Sequence, residues 1–180
     1  MKTCSFFGHR DTLQTEELKD NVSETVERLI VKEGFDTFLF GSRSQFDELC
    51  HIVVTELKEK YPNIQRIAYL CKHETACFVG ESMKMKQHIK KLTGRDVYVP
   101  EYEDIKKSDQ VNSAGRASYV ERNYWMVDNS EIVVIHFNKS QSITNGSGTS
   151  IAYIYAIKKE KRIIEIKTME RRKDSAYKEL

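Results

Sequence analysis

The sequence predicts an α/β fold of three layers, with helices on both faces of a mainly parallel sheet of about six strands. Three observations predict it. Short apolar runs alternate with amphipathic runs along the chain. The first two apolar runs end in glycine, at Gly8 and Gly41. Glycines and charged residues gather where the strands end, which is where such folds bind ligands, around a switch in strand order.

Each element follows from its own pattern. Thr3–Phe7 (TCSFF) reads as a strand, and Leu18, Val22, Val26, Leu29 and Ile30 then repeat at helical spacing, with Glu16 and Glu17 near the positive helix start. Asp36–Phe40 (DTFLF) is a second strand. Phe46, Leu49, Cys50, Val53, Val54 and Leu57 follow the i, i+3, i+4, i+7 pattern of a second helix. Ile64–Leu70 (IQRIAYL) is a third strand, a helix around Glu81–Leu92 follows, and Asp96–Pro100 (DVYVP) is expected as a strand. Glu101–Asn112 has no clear period and is expected as a loop, in a position to lie over a site. Ala117, Val120, Tyr124 and Val127 mark another helix, Glu131–Phe137 (EIVVIHF) a strongly apolar strand, Thr144–Lys159 a turn and helix, and Arg162–Ile166 (RIIEI) the last strand. The expected organisation is one domain over 1–166 with a charged helix or tail over 167–180.

Composition excludes several functions. At 180 residues, 39% hydrophobic and 31% charged, the chain reads as an ordinary soluble domain with a sizeable core. Its 29 basic and 27 acidic side chains are interspersed, so nucleic acid is not an expected partner. No run approaches the ~20 apolar residues that span a bilayer, and the early apolar run is too short for a secretion signal. A cytoplasmic location follows, with Cys4, Cys50, Cys71 and Cys77 reduced. Cys71, His73 and Cys77 lack the second half of a zinc-ligand pattern, so no metal is expected, and no cofactor.

Three strand ends carry unusual residues: GHRD (Gly8–Asp11), GSRSQFD (Gly41–Asp47) and NGSGTS (Asn145–Ser150). Each glycine permits close backbone approach, and each turn precedes a helix whose N-terminus carries partial positive charge. Arg10 and Arg43 add guanidinium forks suited to phosphate or carboxylate. Taken singly, each has a structural explanation, since glycines turn chains and Ser44 with Asp47 fits a capping box. Three of them on one edge of one sheet point to a ligand. SGTS at a helix start offers N–H groups and hydroxyls together, and with no Lys after the last glycine it is not an ATPase loop. A fourth element, ERNYWMVDNSE (Glu121–Glu131), places Arg122 and Asn123 on a helix with an apolar face, where Trp125 and Met126 read as core.

FFGHR, GSRSQFD and ERNYWMVDNSEIVVI…GSGTSIAYIYA together resemble the SLOG superfamily, and within it the YpsA-like proteins of bacteria and phages, over Cys4 to about Ile166. The superfamily includes the LOG phosphoribohydrolases and DprA-like and defence-associated sensor domains. The resemblance implies a Rossmann-like fold that binds nucleotides or nucleotide-derived ligands, often as a dimer. The LOG enzymes carry an Arg-Lys pair and a PGGxGTxxE motif. Here Arg122 matches the arginine and Asn123 replaces the lysine. Gly146, Gly148 and Thr149 match the second Gly and the Gly-Thr, Thr144 and Asn145 replace the Pro and first Gly, and Ala152 stands where the catalytic glutamate would be. A methyl group cannot protonate a leaving base.

The resulting expectation is a binding protein for a small nucleotide-derived ligand, an ADP-ribose-like or cyclic-nucleotide signal, that senses or sequesters it without catalysis. The backbone at Gly146, Ser147, Gly148 and Thr149 and the side chains of Arg122 and Arg10 would take the phosphates, with Gly8, His9 and Asn123 also expected to bind the ligand. Gly41, Ser42 and Arg43 would contact ribose or a second phosphate, and Asp47 a ribose hydroxyl. The alternative is an N-glycoside hydrolase or deoxyribosyltransferase-like enzyme drawing its carboxylate from Asp47, Glu48 or Glu121. A homo-oligomer, most simply a dimer, is expected.

Overall fold

A computed structural model describes residues 1–41, 44–107, 115–137 and 146–168. Its elements run β1 (Thr3–Gly8), α1 (Glu16–Glu33), β2 (Thr37–Phe40), α2 (Gln45–Lys60), β3 (Gln65–Leu70), β4 (Cys77–Phe78), α3 (Ser82–Thr93), β5 (Glu101–Tyr102), β6 (Asp104–Lys107), α4 (Gly115–Asp128), β7 (Ile132–His136), α5 (Gly148–Lys158) and β8 (Arg162–Glu165). The main sheet has six strands in the order β6-β3-β2-β1-β7-β8, every pairing parallel. The chain lays strands outward from β1 in one direction and then returns to place β7 on its other side. The carboxyl ends of β1 and β7 therefore flank the switch in strand order.

Period-two alternation divides the strand side chains between two cores. Phe6, Phe38, Phe40, Ala68 and Val134 face α1 and α2, whereas Phe7, Leu39, Ile67, Val133 and Ile135 face α4 and α5. Both faces are covered, which is the three-layer Rossmann-like arrangement that the alternating sequence predicts. Phe6 sits between Phe38 and Phe40, ring centroids 6.1 and 5.3 Å away. Among the described residues no helix is long and apolar enough to cross a membrane, and no cysteine is in a disulfide.

Two expectations are corrected. Asp96–Pro100 is not a strand; pairing is made instead by β5 and β6, inside the stretch expected to be a loop. The reason is the position of β6 at the sheet edge. An edge strand is solvated along one side and is kept short and charged, so Asp104–Lys107 (DIKK) lacks an apolar run. Arg66 fixes its register: its backbone N–H and its guanidinium both donate to the Glu103 carboxylate, at 2.6 to 3.2 Å. The apolar residues of the expected strand are accounted for differently, since Tyr98 and Val99 line a cavity.

The second correction concerns α4. The helix is present, but its buried residues are Ser118, Arg122, Asn123, Met126 and Val127, not the stripe through Ala117, Val120 and Tyr124. Of the polar residues buried there, Arg122 and Asn123 line a cavity. Trp125 is half-buried against the second core and Met126 fully buried, as expected. Of the loop expected over Glu101–Asn112, residues 108–112 lie outside the described residues, as do 169–180 of the expected tail.

Candidate functional site

A cavity of about 390 Å³ opens at the switch point. The carboxyl end of β1 supplies Gly8, His9 and Arg10, α4 supplies Arg116, Tyr119, Arg122 and Asn123, and the start of α5 supplies Ser147, Gly148 and Thr149.

The start of α5 has the chemistry that suits an anion. Ser147 is the N-cap, and its hydroxyl accepts from the Ser150 N–H at 3.1 Å. Its carbonyl takes the Ile151 N–H. The N–H groups of Gly148 and Thr149 have no backbone partner among the described residues, so the helix dipole and two donors face the cavity. Gly146 holds a left-handed φ of 69°, which turns the chain into the cap, and its carbonyl accepts from Arg116.

Beneath this lies a buried charged chain. Arg122, 3% exposed, donates through Nη1 to Glu74, also 3% exposed, at 3.2 and 3.4 Å. Its Nη2 donates to Asn123 Oδ1 at 3.4 Å, and Asn123 Nδ2 donates to the Gly148 carbonyl at the same distance. The guanidinium lies 5.2 Å from the Tyr119 ring centroid. Arg122 Nε has no hydrogen-bond partner among the described residues, and neither does Nε2 of buried His9. Burial and the nearby His136 push the His9 pKa down, which favours the neutral ring. Asn123, where the LOG pattern has lysine, thus links the buried arginine to the helix start.

Glu74, Arg116 and Tyr119 were not predicted from the sequence. Glu74 follows the fourth strand end that carries chemistry: the turn after β3 brings its backbone N–H to the Cys71 carbonyl at 3.0 Å, and its carboxylate accepts the Cys71 N–H at 2.8 Å. Arg116 had a signal, because a cation in the first turn of a helix opposes the dipole and needs an external reason.

The other predicted residues lie elsewhere. Gly41 and Asp47 line a second cavity of about 380 Å³, which shares Ser44 and Glu74 with the first. Ser44 caps α2, accepting the Asp47 N–H at 3.0 Å. Ser42 and Arg43 lie outside the described residues, as do Thr144 and Asn145. Ala152 is fully buried in the apolar cluster with Phe7, Ile135 and Met126, and lines neither cavity. Among the described residues no group of three or more His, Cys, Asp or Glu is placed to hold a metal.

Two glycines are required by close approach. A Cβ on Gly8 would meet the fully buried Phe46 ring at 2.5 Å, and one on Gly41 would meet Met126 Sδ at 2.5 Å and the Tyr69 carbonyl at 2.9 Å. Gly8→Ala and Gly41→Ala are each expected to lower stability by about 1–3 kcal/mol, measured by urea denaturation, because neither neighbour has room to move. Gly146 differs: among the described residues only Arg116 comes within reach, at 3.4 Å, and a side chain there would be strained by the φ of 69°.

No protein-family model matches the chain. Over 129 residues it is 27% identical to YoqJ, an uncharacterized SPbeta prophage-derived protein of Bacillus subtilis (strain 168), an alignment that covers 71% of this chain and 75% of YoqJ. Among solved structures it is similar to S. aureus TarJ, crystallised in complex with NADPH, with a TM-score of 0.40 and 13% identity. That match covers 86% of this chain and 46% of TarJ, so the chain spans less than half of TarJ's length.

Proposed function

We propose that the chain is a SLOG-type binding protein that holds a small nucleotide-derived ligand by its phosphate in the first cavity, without turning it over. The observation that carries this reading is the convergence on one cavity of an open helix N-terminus and three guanidinium groups, one of them buried with an unpartnered Nε. A buried cation with donor capacity to spare is costly unless an anion completes it. Phosphate fits by charge and by geometry, taking the Gly148 and Thr149 N–H groups and the Thr149 hydroxyl while Arg10 and Arg116 close from the rim. Each charge-assisted bond contributes about 1.5–3 kcal/mol where water is excluded.

The absence of turnover rests on Ala152, which puts a methyl group in the apolar core where the LOG pattern has its acid. The carboxylates that the first cavity does contain have other ties. Glu74 is bonded to Arg122 and to the Cys71 backbone. The enzyme alternative keeps Asp47 and Glu48, which line the second cavity. A homodimer belongs to the same proposal and is read by sedimentation equilibrium.

Denaturing the purified protein and identifying the released small molecule by mass spectrometry separates the readings. An intact nucleotide derivative supports binding; free base with ribose phosphate supports hydrolysis. Gly148→Asp is expected to reduce ADP-ribose affinity at least about 100-fold with the fold intact. The new Cβ has ordinary space, its nearest neighbour being Asn123 Nδ2 at 3.7 Å, and an acidic residue suits a helix start. Its carboxylate would occupy the anion site and repel phosphate. Wild-type affinity in this variant, by isothermal titration calorimetry, removes the proposed site.

A further inference from the structure

The second cavity has the opposite chemistry to the first. None of its described lining residues is Lys or Arg, while Asp47 and Glu48 line it together with Glu74, whose carboxylate is ion-paired to Arg122. His51 adds no cation: its Nε2 lies 3.0 Å from the Glu101 carbonyl, which can only accept, so Nε2 carries the proton and donates. Burial lowers the ring's pKa to about 4 and keeps it neutral, so Nδ1 accepts from the Tyr98 hydroxyl at 2.6 Å. The remaining walls are apolar or aromatic, chiefly Tyr98, Tyr102, Met85 and Ile89. Such a cavity repels phosphate and suits a flat neutral ring that brings hydrogen-bond donors to carboxylates.

Helix α3 says the same from its packing. Met85, Ile89 and Leu92 recur at helical spacing, so the helix has an apolar face, yet Ser82 is its one buried residue. Met85 and Ile89 face the cavity instead of a core, and Met85 is 40% exposed. The helix is tied to the cavity wall at its start, where Glu101 Oε1 accepts the Gly80 and Ser82 N–H groups at 3.2 and 3.0 Å. The β4–α3–β5 segment is therefore an insertion between β3 and β6 that roofs a cavity without filling it.

Ser44 and Glu74 line both cavities, so the two lie side by side. We infer that the second cavity is the base subsite of a nucleotide ligand: an amino-bearing nucleobase packs under Met85 and Ile89 and donates to Asp47 or Glu48, while its phosphate lies in the first cavity. This rests on the phosphate reading of the first cavity and adds to it the class of ligand and the role of the insertion.

The test compares ribose 5-phosphate, which has no base, with AMP, CMP, GMP and ADP-ribose by calorimetry. In the wild type at least one of the base-bearing ligands is expected to bind roughly 10- to 100-fold tighter than ribose 5-phosphate, the range for stacking a base. Ile89→Asp and, separately, Met85→Glu should remove that advantage and leave ribose 5-phosphate affinity unchanged; both positions lie outside the core clusters, so folding is retained. The bound ligand should also slow peroxide oxidation of Met85 but not of Met83, which is on the opposite side of α3 and 63% exposed. All four base-bearing ligands binding no better than ribose 5-phosphate, an advantage that survives both variants, or equal protection of the two methionines overturns the base subsite alone. Failure of ribose 5-phosphate and of every base-bearing ligand to bind the wild type overturns the phosphate reading, and the base subsite with it.

Discussion

Arg122→Ala is expected to abolish ligand binding and to destabilise the fold by about 3–5 kcal/mol, the largest single effect of any substitution at the site. The two losses have separate causes. Binding is lost with the one cation among the described residues that is buried in the first cavity. Stability is lost because Glu74, 3% exposed, is left buried without the cation it pairs with at 3.2 Å. Asn123 also loses the guanidinium that orients its amide toward the Gly148 carbonyl. A double replacement resolves the two. Arg122→Met with Glu74→Leu removes both charges at similar volume and is expected to recover most of the stability while binding stays absent. Urea denaturation and calorimetry on the two variants read this directly; full binding by the double variant would show that the arginine holds the fold and not the ligand.

Lowering the pH from about 6.5 to about 4 is expected to cost the protein about 3 kcal/mol through His51 alone. Burial, with the Arg66 charge next in importance, lowers its pKa to about 4; the bond to the Glu101 carbonyl and the Glu101 and Glu103 carboxylates oppose this without offsetting it. A histidine in the unfolded chain titrates near 6.5, so in this window the unfolded state binds the extra proton and the folded state does not. The sign follows: the contribution is fully present above pH 6.5 and is lost progressively down to 4. Protonating the folded ring would make Nδ1 a donor, so the Tyr98 hydroxyl at 2.6 Å would have to turn and accept. Thermal melts of His51→Gln should show a flatter pH dependence over this window, since an amide can donate to the same carbonyl and accept from the same hydroxyl without titrating. Glu103 adds a separate acid loss at lower pH. Burial would raise its carboxyl, but the Arg66 bonds outweigh that and hold it below the usual range, so its contribution falls away only as the pH drops below the glutamate range.

The sequence by itself determined five of the six strands of the main sheet and its helices, because those elements bury apolar side chains at regular spacing. Phe46, Leu49, Cys50, Val53, Val54 and Leu57 are all buried as their period requires. Strand ends with glycine marked the edge where the two cavities lie, since only a position without a side chain can pass as close as Gly8 does to Phe46. Tertiary structure decided what has no local signature. The sixth strand escaped because its partner, β3, is supplied by the fold and its own residues are charged for an edge. Glu74 and Arg122 are 48 residues apart and meet only when β3 and α4 pack together. The division of the predicted site into a cationic and an acidic cavity is likewise a product of packing. Gly41 and Asp47 end one strand and start one helix, and whether they face a phosphate or a ring depends on where the α3 insertion lies across them.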